Sequence, residues 1–109
     1  MLKFDNDTLT MSIVAKDTGD FVISLDNYLL DDGDTVYFTV NDELEKANPR
    51  IQKRIDEFVG NKAFIHLASN DTDIPVGNYY YDVEVNTADG RVDTVLGPAK
   101  FKVLGGVKF

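Results

Sequence analysis

Cysteine and tryptophan are absent from this chain of 109 residues, and histidine occurs once. Without a thiol there is no disulfide framework, no thiolate metal site and no cysteine nucleophile, a composition that suits an intracellular origin. The lone His66 cannot by itself build a transition-metal site, and no serine, histidine and acid grouping is favoured by spacing. It reads as a surface or groove histidine. No segment approaches the roughly 20 apolar residues that a helix needs to cross a bilayer. The opening Met1-Leu-Lys-Phe-Asp-Asn-Asp7 carries acids where a secretory leader carries bases. The expectation is a protein with no signal peptide, made in a cytoplasm and not bound to a membrane. Basic residues are also scarce: 11 Lys and Arg stand against 19 Asp and Glu, for a net charge of −8. That balance argues against nucleic acid as partner, because phosphate binding needs clustered bases to release counterions. The densest basic stretch, Lys46, Arg50, Lys53 and Arg54, is interleaved with Glu43, Glu45, Asp56 and Glu57. It reads as a solvated mixed-charge segment, with a local anion or protein docking patch as the alternative. No glycine-rich phosphate loop opens a helix, since the pair Gly105-Gly106 comes after the last apolar run.

What is present points to β-structure. The length suits one domain, large enough to bury roughly 65% of the unfolded chain's surface without staples. Residues 8–15 alternate, with Leu9, Met11 and Ile13 on one face, and Phe21, Ile23 and Leu25 share a face after the turn Asp17-Thr-Gly-Asp20. Period two means half-buried strands, here expected as a hairpin. Thr35 to Val40 turns Val36, Phe38 and Val40 inward, and Ala63 to Ala68 does the same with Ala63, Ile65 and Leu67. Between them lies an ambiguous stretch, residues 42–58. Asp42 to Ala47 has helical character, Asn48-Pro49 interrupts it, and Ile51 to Phe58 reads either as a short helical or irregular excursion or as a strand. The expected fold class is all-β, an immunoglobulin-like antiparallel β-sandwich of about seven strands. Residues 1–104 form the single domain, and residues 105–109 a flexible tail.

The densest signal runs from Asp71 to Val103. It holds a corner, a long two-faced strand with Tyr79, Tyr81, Val83 and Val85 on one side, the turn Ala88-Asp-Gly90, and two return strands over residues 91–95 and 101–103. Pro75-Val-Gly77-Asn-Tyr79 resembles the tyrosine corner of immunoglobulin-like domains, in which a tyrosine hydroxyl bonds back to the preceding crossover. Tyr79 takes the corner position and Tyr81 stands where such domains carry a cysteine. A plain core aromatic is the other reading of Tyr79. On the opposite face, Tyr80 and Tyr37 form an exposed aromatic spot, suited to an interface or to cross-strand packing. Tyr28, Leu29 and Leu30 form an apolar patch in a polar loop, and Val107 to Phe109 closes the chain. Asp31, Asp32 and Asp34, with Asp71 and Asp73, lie in two loops. Calcium favours such carboxylates, but aspartate is also the ordinary turn residue. No cofactor is expected.

The order of these features resembles a known family. Gly33-Asp34-Thr-Val-Tyr-Phe-Thr-Val40 is followed by Ile65-His-Leu67, Asp71-Thr72, Pro75-x-Gly77-x-Tyr79-x-Tyr81-Asp82-Val83, Asp89-Gly90, Thr94-Val95 and Phe101-Lys-Val103. This pattern, over residues 9–104, is similar to the small immunoglobulin-like domain of phage and prophage tail and baseplate proteins of Gram-positive bacteria, such as the N-terminal domain of the upper baseplate protein. The resemblance implies a non-enzymatic virion structural module that docks on other phage structural proteins and forms a homo-oligomer. Its location would be the virion, or the host bacterial cytoplasm during assembly. Tyr28, Leu29, Leu30, Tyr37, Tyr80, Val107 and Phe109 are the candidate contact residues, and Pro75, Gly77 and Tyr79 the structural corner. A carbohydrate-binding or adhesion module using exposed aromatics is the alternative, and it requires Tyr37 and Tyr80 to share one open face.

Overall fold

Apolar residues at every second position can be buried only if each strand lends one face to a common interior. The computed structural model describes residues 2–25, 33–42 and 49–105, and contains strands and no helix among them. Eight strands run in order: β1 (Lys3–Phe4), β2 (Met11–Val14), β3 (Gly19–Ser24), β4 (Thr35–Asn41), β5 (Ile51–Ile55), β6 (Lys62–Leu67), β7 (Gly77–Asn86) and β8 (Val92–Leu104). They form a mixed six-stranded sheet, β1-β2-β8-β7-β4-β5, and a separate two-stranded sheet, β3-β6. Both contribute to one core. Met11, Ile13, Val36, Phe38, Val40, Ile51, Tyr79, Tyr81, Val83, Val85, Phe101 and Val103 come from the larger sheet, and Ile23, Ala63, Ile65 and Leu67 from the smaller.

Phe38 is the centre of this core. Its ring meets Phe21 of β3 edge-on at 5.1 Å, Tyr81 of β7 at 5.7 Å and Phe101 of β8 at 6.2 Å. Such aromatic pairs add about 0.5–1.5 kcal/mol each beyond the area they bury. The Phe21 contact spans the two sheets, whereas the other two link β4 to its neighbour β7 and, across β7, to β8.

Several expectations are corrected. Residues 11–14 and 19–24 are not a hairpin: β2 pairs with β8 and β3 pairs with β6. Both strands aim their apolar faces at the same interior, so they belong to different layers and the turn between them crosses from one sheet to the other. Alternation reports the face a strand buries, not its neighbour. The β2–β8 pairing, Met11↔Phe101 to Val14↔Leu104, is parallel, so the larger sheet is mixed and not purely antiparallel. The strand expected over residues 8–15 shrinks to Met11–Val14, because Leu9 has φ 61° and leaves the extended conformation. The short β1 had no sequence signal.

The two return strands are one 13-residue strand, β8, that bends at Gly97. A Cβ at Gly97 would lie 2.6 Å from the Tyr81 carbonyl oxygen, and φ is +85°, so only glycine lets the backbones approach here. The pairing register shifts opposite this point, between Tyr81 and Glu84. In the ambiguous stretch, Ile51–Ile55 is a strand paired with β4, with Ile51 buried; the strand alternative holds over these residues but not on to Phe58. Ladder hydrogen bonds to β4 and burial of Ile51 settle that competition. Residues 43–48 lie outside the described residues, as do Tyr28, Leu29, Leu30, Val107 and Phe109.

Replacing Phe38 by alanine should cost about 3–5 kcal/mol, because the ring is fully buried and leaves a cavity that touches both sheets. Urea denaturation followed by far-ultraviolet circular dichroism measures this.

Candidate functional site

Because Tyr79, Tyr81, Val83 and Val85 are buried, their alternates Asn78, Tyr80, Asp82 and Glu84 must form the outer face of the larger sheet. Register then sets which side chains are neighbours. Lys3 lies beside Ser12, Ser12 beside Lys102, and Lys102 beside Asn78. In the adjacent row, Lys100 lies beside Tyr80 and Tyr80 beside Asn41. The loop from Asp5 to Thr10 rises along one side. Lys3, Ser12, Lys100, Lys102 and Tyr80 line an open groove of about 1200 Å³ together with this loop and Pro98. Loop geometry comes from local hydrogen bonds: the Asp5 carboxylate accepts the Asp7 amide at 2.9 Å, and the Asp5 amide donates to the Thr10 carbonyl at 2.9 Å.

Further along the same face, Tyr37, Thr39, Gln52, Glu84 and Asn86 line a smaller depression of about 580 Å³. Tyr37 pairs with Glu84, four residues along β7 from Tyr80, so the two tyrosines are offset by ~13 Å along the strands, at ~3.3 Å per residue, and by one strand spacing of ~4.8 Å across them. They share one sheet face but are each half-buried and occupy different depressions, so they do not form the single exposed aromatic spot expected. The Tyr37 hydroxyl and Asp56 hold the Arg54 guanidinium more basic than usual. Asp82, between the depressions, has its carboxyl pushed up by burial and by nearby Glu84.

The corner residues come together. Tyr79 Oη donates to the Pro75 carbonyl at 2.5 Å, and Gly77 begins the strand that follows. Tyr81 Oη donates to the carbonyl of Leu9, which ties β7 to the loop that walls the groove. A third tie is buried Thr72, whose hydroxyl donates to the Asp17 carbonyl at 2.7 Å and locks the β6–β7 crossover to the β2–β3 turn.

The remaining candidates are engaged locally. Arg50 forms a two-pronged contact with Asp42, at 2.7 and 3.0 Å, Lys53 pairs with Asp71 at 2.7 Å and Arg54 with Asp56 at 3.0 Å. Lys46 lies outside the described residues. Asp34 accepts the Ala88 amide at 3.0 Å, and Asp71 accepts the Ala68 amide at 2.7 Å. Burial raises the Asp71 carboxyl, but Lys53 and the Ala68 amide outweigh it and hold it below the usual range. Asp31 and Asp32 lie outside the described residues. Among the described residues no three acids or histidines gather into a metal-sized group. His66 is on the outer face of the smaller sheet, its Nδ1 at 2.5 Å from Asp20.

Sequence reasoning missed two features. One is the lysine row of the groove, although Lys100 and Lys102 alternate with buried Phe101 and that alternation was the available signal. The other is the pair Val22 and Phe64, directly opposite one another on the solvent face of the smaller sheet, 47% and 57% exposed. Comparison of the chain with protein-family models, curated proteins and solved structures finds no match.

Two substitutions test the hydroxyl ties. Tyr79→Phe should lose about 1 kcal/mol of stability, the net value of one hydrogen bond, as read by urea denaturation. Burial pushes the Tyr81 phenol from its ordinary 10.0 up to about 12. The folded state therefore holds this proton more tightly than the unfolded chain. The resulting stability is complete below the unfolded value near 10.0 and is lost as pH rises through about 12. Tyr81→Phe should flatten that alkaline decline, which urea midpoints measured through this window would show.

Proposed function

We propose that this chain is a non-enzymatic immunoglobulin-like β-sandwich, a structural module of a phage or prophage tail or baseplate. The observation that carries the reading is the Tyr79–Pro75 hydrogen bond at the start of β7, within a strand order of the kind that fold uses. In immunoglobulin-like domains the third, sixth and seventh strands share a sheet, a tyrosine corner opens the sixth, and variable-type domains add a strand beside the third. Here β8, β7, β4 and β5 lie in that succession, and β3 pairs with β6 in the other sheet. Phe38 faces Phe21 and Tyr81 where such domains pack a tryptophan on an inter-sheet disulfide. These features support the architecture that the sequence resemblance implies, and the module role follows from that resemblance.

Docking on other structural subunits, and on copies of itself, has a surface to use. Val22 and Phe64 form an exposed apolar pair on the smaller sheet, flanked by Asp20 with His66 and by Ser24 with Lys62. An apolar centre with a polar rim is how interfaces are organised. A second reading, a carbohydrate-binding module, is favoured by one observation: Tyr37 and Tyr80 lie on the same outer sheet face, and Tyr80 lines an open groove.

The assembly reading expects a defined oligomer in light scattering, and Phe64→Glu should convert it to monomer without changing the circular dichroism spectrum. Tail and lysis genes flanking the coding sequence are expected as well. A wild-type monomer encoded among unrelated genes would overturn it.

A further inference from the structure

The groove that contains Tyr80 carries positive charge on a protein whose net charge is −8. Lys3, Lys100 and Lys102 all line it, and none makes an ion pair among the described residues, in contrast to Arg50, Lys53 and Arg54 on the same sheet. Register places these lysines close together. Lys100 and Lys102 project from the same face of β8 with ~7 Å between their Cα atoms, and Lys3 is two strands from Lys102, ~10 Å away. Two carboxylates, Asp5 and Asp7, line the groove wall beside three lysines, and Asp5 accepts the amides of Asp7 and Thr8. Like charges held this close repel one another until an anion joins them.

Part of the groove lining is of a different kind. Tyr80, half-buried on the outer face of β7, lines the groove together with Pro98, and Ser12 and Thr10 add hydroxyls. A flat aromatic body with a polar tip offers stacking and a hydrogen bond together. The volume of about 1200 Å³ exceeds what one small ligand needs, and the groove is open to solvent.

We infer that this groove binds an acidic polysaccharide, with a sugar ring stacked on Tyr80 and its carboxylates paired with Lys3, Lys100 and Lys102. The inference rests on the carbohydrate reading of the outer face and adds the charge class of the glycan and the residues that select it. A long nucleic-acid duplex would extend beyond the groove onto the acidic remainder of the surface, and its counterion release needs more bases than these. A flexible saccharide meets the lysines alone.

Isothermal titration calorimetry on the full chain tests this with polygalacturonate, neutral dextran and inorganic polyphosphate. Polygalacturonate is expected to bind and dextran not. Affinity should fall about tenfold or more in Tyr80→Ala and in the double variant Lys100→Glu/Lys102→Glu. It should also weaken as sodium chloride rises from about 20 to about 300 mM. Arg91→Glu, an exposed charge reversal at the β7–β8 turn and outside the groove, should leave it unchanged. Dextran binding as tightly as polygalacturonate would overturn the charge selection while leaving the saccharide reading intact. Polyphosphate binding as tightly, with no loss in Tyr80→Ala, would show a bare anion site and overturn the sugar. Silence towards all three would overturn both. Each variant projects from the solvent face, and a native circular dichroism spectrum separates lost binding from lost fold.

Discussion

The contact between Phe21 and Phe38 is the one aromatic bridge across the two sheets among the described residues, and much of the molecule is arranged around it. Phe38 is fully buried on β4, between β7 and β5, and its other aromatic neighbours, Tyr81 and Phe101, belong to the next strands along the sheet. A chain without cysteine must hold its layers by packing alone. Ring edges and faces give that packing directional preference, which aliphatic contacts supply only through shape. The smaller sheet has just two strands. A lone pair of strands is marginal in water, so β3 and β6 depend on the surface that Phe38 and its neighbours present.

Hydrogen bonds then fix the connections that packing leaves loose. Tyr79 closes the corner before β7, Tyr81 reaches the Leu9 carbonyl, and Thr72 joins the β6–β7 crossover to the β2–β3 turn. Each donor comes from a buried side chain, and each acceptor is a backbone carbonyl in a loop or turn. The inside of the sheet thereby sets the shape of the outside. Tyr81 faces the core, yet its hydroxyl anchors the loop that walls the groove, and Tyr80, one residue away, lines that groove.

How much of this was legible varies with the kind of question. Alternation identified the inward residues of β3, β4, β6 and β7 correctly, because period two is a property of the strand itself. The corner residues were legible from Pro75, Gly77 and Tyr79, where turn chemistry and an aromatic coincide. Strand partners were not legible: Met11 and Ile13 look the same in a hairpin or beside β8. Leu9 read as one more inward residue, since a positive φ at leucine has no local signal. Residues 91–95 and 101–103 read as two strands, when they are parts of one that bends at Gly97. On the groove, alternation already turned Lys100 and Lys102 outward, but Lys3 joins them only through the β1–β2–β8 pairing, which no local pattern reveals.

The parallel alignment of β2 with β8 has a mechanical consequence. A pull applied ahead of Met11 and beyond Leu104 would draw these two strands in opposite directions along their common axis. The ladder from Met11↔Phe101 to Val14↔Leu104, with the Ala15 amide on the Leu104 carbonyl at 2.8 Å, would then be loaded in shear, all rungs together. An antiparallel seam pulled from its open end yields one rung at a time. The same geometry that makes the sheet mixed makes it a tension-bearing link between whatever is joined to its two ends.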